Sequence, residues 1–176
     1  MGHNNITVNN FEPDVQSSID FTTTAPTILI GRNHSQAYSS NPASPTLGAG
    51  DTLYIYDSSP INTISGASIS SSNDWVSGVT LPAGTYIMSI LFSVVFTASG
   101  SFQFGFKQGS SWIGSLASCG GDQNVYLSGS GVSVNTQVLT SNTDYTFNSF
   151  SVSNVESVAN QGNIPAEQSY VLIQQL

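Results

Sequence analysis

The sequence predicts an all-β fold, an antiparallel β-sandwich, and three observations carry that expectation. Residues 79–106 read as two long strands joined by a small-residue turn at Ala98-Ser99-Gly100. In the first, Tyr86, Met88, Ile90, Phe92, Val94 and Phe96 fall on one face, while Ile87, Leu91 and Val95 share the other with Ser89 and Ser93. In the second, Phe102, Phe104 and Phe106 alternate with Ser101, Gln103, Gly105 and Lys107, the pattern of a sheet with one dry and one wetter side. Finally, no segment repeats apolar residues at i, i+3, i+4 and i+7 over several turns, and the long helix formers are scarce.

Taken in order, residues 1–48 are polar and broken by Pro13, Pro26, Pro42 and Pro45. They are expected to form a largely irregular N-terminal arm with one first-strand candidate at 27–30, ahead of a sandwich domain over 49–176. Within that domain, short apolar segments recur between turn clusters at 52–56, 65–70, 75–81, 85–96, 101–107, 112–116, 125–127, 131–134, 145–152 and 170–175. Pro82-Ala83-Gly84, Ala98-Ser99-Gly100 and Gly120-Gly121-Asp122 supply the backbone angles that hairpins need, so antiparallel connections are expected at each.

The composition narrows function. With 176 residues, of which 39% are hydrophobic, the chain can bury a core of one domain. Only 7% of residues are charged, yet nine Phe, seven Tyr and two Trp argue against disorder. The surface is therefore expected to be neutral and rich in hydroxyl and amide groups. Arg32 and Lys107 are the only permanent cations against ten acids, which leaves nothing to displace counterions from nucleic-acid phosphates or to approach anionic lipid. The N-terminus carries neither the basic nor the apolar region of a signal peptide, so no signal-directed secretion is expected.

Chemistry-bearing groups are sparse and scattered. Cys119 is the single cysteine and reads as an inert small residue, because the two histidines, His3 and His34, lie far upstream with no pattern linking them to it. Asp51 and Asp57 flank one strand candidate at positions where Asp serves turns, with a glycosidase pair as the less favoured reading. Gly48-Ala49-Gly50 and Gly129-Ser130-Gly131 lack the Lys and the helix of a phosphate loop. No catalytic residue, metal ligand set or cofactor is expected. Trp75 and Trp112 have two readings, as core residues or as exposed aromatic platforms for sugars or protein partners.

Leu81-Pro82-Ala83-Gly84-Thr85-Tyr86 entering a long apolar strand, a later Gly109-containing turn and a closing Tyr170-Val171-Leu172-Ile173-Gln174-Gln175-Leu176 resemble a known family. It is the trimeric jelly-roll head of the tumour-necrosis-factor and C1q type, related to domains of viral capsid, decoration and fibre proteins. The resemblance covers roughly residues 51–176 and implies a single jelly roll whose closing strand lies near a threefold axis. The apolar groups on both faces of 85–96 and 170–175 fit subunit contact, so Tyr86, Phe92, Tyr170 and Leu172 become candidate trimer-interface residues, the alternative being that they fill a thick monomer core.

The function expected from the resemblance and the composition together is non-enzymatic. It is that of a homotrimeric minor capsid, cement or decoration protein at the capsid surface, binding the major capsid protein or other virion proteins. The alternative is a receptor- or glycan-binding head of a viral fibre or surface appendage, with Trp112, Tyr126 and Tyr38 as candidate contacts. A glycan is the small ligand this alternative would take, and neither nucleic acid nor membrane is an expected partner.

Overall fold

In a computed structural model of the chain the residues described are 25–31, 37–38, 47–121, 128–156 and 169–176. The eleven strands among them are β1 (Thr27–Ile30), β2 (Ala37–Tyr38), β3 (Tyr54–Tyr56), β4 (Ile61–Asn62), β5 (Ser68–Ser72), β6 (Trp75–Leu81), β7 (Gly84–Gln108), β8 (Ser111–Gly121), β9 (Ser128–Leu139), β10 (Thr143–Glu156) and β11 (Tyr170–Gln175). Every pairing between them is antiparallel.

The long alternating stretch is one element, β7, rather than the hairpin its sequence predicts. Residues 84–95 pair with β9 on one side, and residues 86–91 pair with β11 on the other. Residues 100–108 pair with β8 on one side, and residues 101–107 pair with β10 on the other. Both edges of both halves are thus taken, and the halves cannot pair with each other. Ten residues of straight strand would separate Phe92 and Phe102 by about 33 Å, yet their ring centroids lie 6.4 Å apart and Phe92 and Phe104 lie at 5.7 Å. The strand therefore bends between its halves and carries the chain from one layer of a sandwich to the other.

The bend is braced from β10. The side-chain amide of Asn154 donates to the Ser99 carbonyl at 2.6 Å, and a Cβ at Gly100 would overlap the Ser153 carbonyl. Only glycine admits so close an approach of backbone. Residues 82–83 make the equivalent crossing between β6 and β7, because β6 and the start of β7 belong to different layers. The two small-residue turns read as hairpins are layer crossings.

One layer runs β4-β1-β11-β7-β9 through residues 84–95, and the other runs β5-β6-β10-β7-β8 through residues 100–108. β3 sits beside the start of β6 and carries β2. The first strand thus pairs with the last, β6 pairs with β10 next inward, and the chain winds between layers toward the centre. This is the connectivity of a jelly roll. β1 is an interior strand of its layer, so the sandwich takes in residues ahead of the expected boundary at 48/49. Residues 1–24 of the expected arm lie outside the described residues, as does the strand expected at 125–127.

The core lies between the layers. Met88, Ile90, Val171, Ile173, Ile28 and Ile30 from one layer meet Phe102, Phe104, Phe106, Phe147, Val76 and Leu81 from the other, all essentially without accessible surface. Phe92 stands edge-on to Phe102 and Phe104, and Phe106 to Phe147, the arrangement that suits the aromatic quadrupole. Two fully buried tyrosines complete it. The Tyr86 hydroxyl donates to the Pro82 carbonyl at 2.9 Å, while that of Tyr145 has no partner among the described residues. The β5–β6 hairpin closes on Asn73 and Asp74, both at positive φ (51° and 67°), as a two-residue turn of this hand requires.

Candidate functional site

Strand β9 is inside out. In Val132-Ser133-Val134-Asn135, the polar residues point into the sandwich and the valines point to solvent: Ser133 and Asn135 are buried, while Val132 and Val134 are 55% and 57% exposed. The cause is local hydrogen bonding. Opposite the single residue Gly105, β8 carries three residues, 114–116, between its pairings at Ile113 and Ala117, a bulge of two extra residues that frees backbone groups from the ladder. The Ser115 amide donates to Asn135 Oδ1 at 2.9 Å, Ser133 Oγ donates to the Ser115 carbonyl, and Asn135 Nδ2 donates to Ser133 Oγ at 2.9 Å. These bonds tie the edge strand of one layer to the edge strand of the other, and they leave β9 with its valines outward.

The valines join a larger apolar surface. Register places Leu91 between Val132 and Tyr170, Ser89 between Val134 and Leu172, and Ile87 between Thr136 and Gln174. Leu29 continues the second row beyond Leu172, and Ile61 lies beyond Leu29. Val138, opposite Thr85, is 73% exposed. The outer face of this layer is thus apolar across five strands.

Of the four expected interface residues, Tyr170 and Leu172 lie on this face and are half-buried. Tyr86 and Phe92 are corrected: both point inward and have no accessible surface to offer a neighbour. On a strand with apolar groups on both faces, alternation separates the faces without saying which one is inside. The exposed valines of β9 were missed. Their alternation with Ser and Asn was the available signal, but polarity alone assigns them to the core.

Trp112 lies on the opposite side of the molecule, on the outer face of the second layer. Gly105 leaves the middle of that face without a side chain. An added Cβ there would lie 3.0 Å from Leu116 Cδ2 and 3.9 Å from the Trp112 ring, so both side chains lie across the glycine. Phe150 is the extra residue of a β10 bulge between Ser149 and Ser151 and is 45% exposed. Its ring meets that of Trp112 at 5.5 Å and 78°, and Lys107 Nζ stands 5.7 Å from the Trp112 ring, within reach of a cation–π contact. Trp75 instead packs edge-on against Tyr56 at 5.1 Å. Of the other expected contacts, Tyr126 lies outside the described residues. Tyr38, in β2, is described only through its backbone, which pairs opposite Tyr54 of β3.

The remaining candidates act structurally. Asp57 is buried and its two oxygens accept from the amides of Gly31 (2.7 Å) and Ser59 (2.9 Å), joining the end of β1 to the loop after β3. Asp51 accepts from the Gly48 amide at 2.6 Å. Burial pushes the Cys119 thiol up to about 11, the opposite of what a nucleophile needs. Among the described residues, no three His, Cys, Asp or Glu side chains converge as a metal site would require, and no helix is long and apolar enough to cross a membrane.

No protein-family model matches the chain, and no curated protein matches it in sequence. Among solved structures it is similar to the structure of Eiger TNF from S. frugiperda, at 10% identity over 86% of this chain and 92% of that one, with a TM-score of 0.49. The jelly-roll assignment rests on the strand order and register described above.

Proposed function

We propose that this jelly roll is a non-enzymatic structural module that works as a homotrimer, with the outer face of the β4-β1-β11-β7-β9 layer as the contact between copies. The inside-out strand carries the reading. Three valines at more than half exposure, continuous with Leu91, Ile87, Tyr170 and Leu172, form a surface that soluble monomers seldom leave open. A second copy is the occupant that every molecule in solution has available, and a sheet face five strands wide is of the scale that a stable contact of about 800 Å² per partner needs.

The setting that best suits such a module is the capsid surface of a virion, as a minor capsid, cement or decoration protein bound to neighbouring capsid subunits. Support comes from the surface chemistry. With 7% charged residues and abundant Ser, Thr and Asn, contacts are made by shape and hydrogen bonding and depend little on salt.

Native mass spectrometry of the full chain tests the trimer. Val134→Asp and Leu172→Asp place a charge on the face while leaving the core intact, and each is expected to yield monomers with unchanged far-UV circular dichroism. A monomeric wild type, or trimers that survive both changes, would overturn the assembly. In this setting the N-terminal arm docks on the neighbouring capsid subunits; deleting residues 1–24, which spares β1, tests this through particle incorporation, and full incorporation without them would overturn it.

A receptor- or glycan-binding head is the second reading, favoured by the exposed Phe150 beside Trp112.

A further inference from the structure

We infer that the Trp112, Phe150 and Lys107 cluster is a binding site for a carboxylate-bearing sugar. The inference deepens the head reading and does not depend on the trimer. Three features of the cluster point the same way.

The first is shape. Gly105 removes the side chain from the centre of the outer face, and Trp112 and Leu116 lie over it. The outcome is an apolar floor bordered by the Phe150 ring, which meets the indole at 78° and which a bulge in β10 pushes out of the ladder to 45% exposure. Exposed aromatic surface of this kind meets the C–H face of a pyranose ring.

The second is charge. In a chain of net charge −8, Lys107 is the one lysine or arginine among the described residues, and it stands at this floor. No ion pair with Lys107 forms among the described residues, and Trp112 is the contact that positions it. The acid one side-chain row along β10 from its partner Thr146, Asp144, accepts from Thr80 Oγ1 at 2.6 Å, on the neighbouring strand away from Lys107. An ammonium held over an indole is free to turn to an arriving carboxylate, at the loss of one cation–π contact.

The third is the rim. Gln103 and Ser151, joined by a 3.0 Å hydrogen bond, lie one step along the same strands, and Thr146 lies opposite Lys107. Hydroxyl and amide groups around an aromatic floor suit the hydroxyls of a sugar and add no repelling charge. The site also occupies the sandwich face opposite the apolar layer. It stays outward when copies join through that layer.

The test is titration of the full-length protein with sialyllactose and with lactose, followed by nuclear magnetic resonance or calorimetry at low and physiological salt. Sialyllactose is expected to bind and lactose to bind at least about fivefold more weakly, with the preference shrinking as salt rises. Lys107→Gln is expected to erase the preference. Phe150→Ala is expected to weaken binding about tenfold at unchanged thermal stability, since Phe150 is already half in water. Equal binding of both sugars, insensitive to Lys107→Gln, would overturn the carboxylate assignment and leave the glycan-binding head standing. No binding of either sugar would overturn both. Binding of an acidic peptide in place of sugars, lost in the same two variants, would overturn the ligand class.

Discussion

Phe92→Ala separates the two places that an aromatic residue on β7 can occupy. Phe92 has no accessible surface and stands edge-on to Phe102 at 6.4 Å and Phe104 at 5.7 Å, so it ties residues 84–95 in one layer to residues 100–108 in the other. Truncating a buried Phe to Ala removes its transfer free energy, leaves a cavity and breaks two aromatic pairings of about 0.5–1.5 kcal/mol each, for a total cost of about 4 kcal/mol. With a denaturant slope of about 2 kcal/mol/M for a domain of this size, the urea midpoint should fall by about 2 M. The assay is equilibrium unfolding by tryptophan fluorescence and far-UV circular dichroism, at two protein concentrations held equal for variant and wild type, because the proposed assembly would make apparent stability depend on concentration. The loss should appear at both concentrations, with the subunit number in native mass spectra retained in the folded fraction. If Phe92→Ala instead dissociated the assembly and cost less than about 1 kcal/mol within the protomer, Phe92 would be an interface residue and the assignment of inner and outer faces would be wrong.

Four further outcomes are expected. Asn135→Ala strips the Ser115 amide of its acceptor inside the β8 bulge and should cost about 1–3 kcal/mol in thermal unfolding; a cost near zero would show that the bulge does not set the direction of β9. Tyr145→Phe removes a buried hydroxyl that has no partner among the described residues, and should leave stability unchanged or raise it by about 1 kcal/mol; a clear loss would show the hydroxyl to be bonded. Cys119 should react with iodoacetamide at pH 8 at least about tenfold more slowly in the folded protein than in urea, because burial holds its thiol near 11; equal rates would contradict that. The pH dependence follows with its sign: Cys119, Tyr86 and Tyr145 are all raised by burial, so their neutral forms favour folding. The Cys119 contribution is complete below its ordinary value of 9.0 and lost as pH rises to about 11, the tyrosine contributions fall away above their ordinary value of 10.0, and a melting temperature constant from pH 8 to 11.5 would refute this.

Much of the local structure was legible in the chain. The ranges expected for 75–81 and 170–175 are those of β6 and β11, and the buried Phe102, Phe104 and Phe106 follow from alternation. Turn residues, by contrast, carry two meanings. Pro82-Ala83 and Ala98-Ser99-Gly100 have the composition of hairpin loops, but a hairpin and a layer crossing ask the same backbone of the same small residues. Only the occupied edges of β7 tell them apart. The candidate site was partly legible for a related reason. Trp112 was visible as a residue, while Phe150 and Lys107 reach it from β10 and β7 through a bulge and a cross-strand pairing that no sequence spacing encodes.

By itself the sequence determined the period, the chain's fitness for sheet over helix, the neutral surface and the scarcity of cations, because each is a property of nearest neighbours or of composition. Tertiary structure decided which face of a two-faced strand lies inside. The valines of β9 face outward in register with Ser133 and Asn135, which lie inward and bond to Ser115 in the bulge of a different strand. Alternation records that a strand has two sides; the partner that arrives from elsewhere in the chain chooses between them.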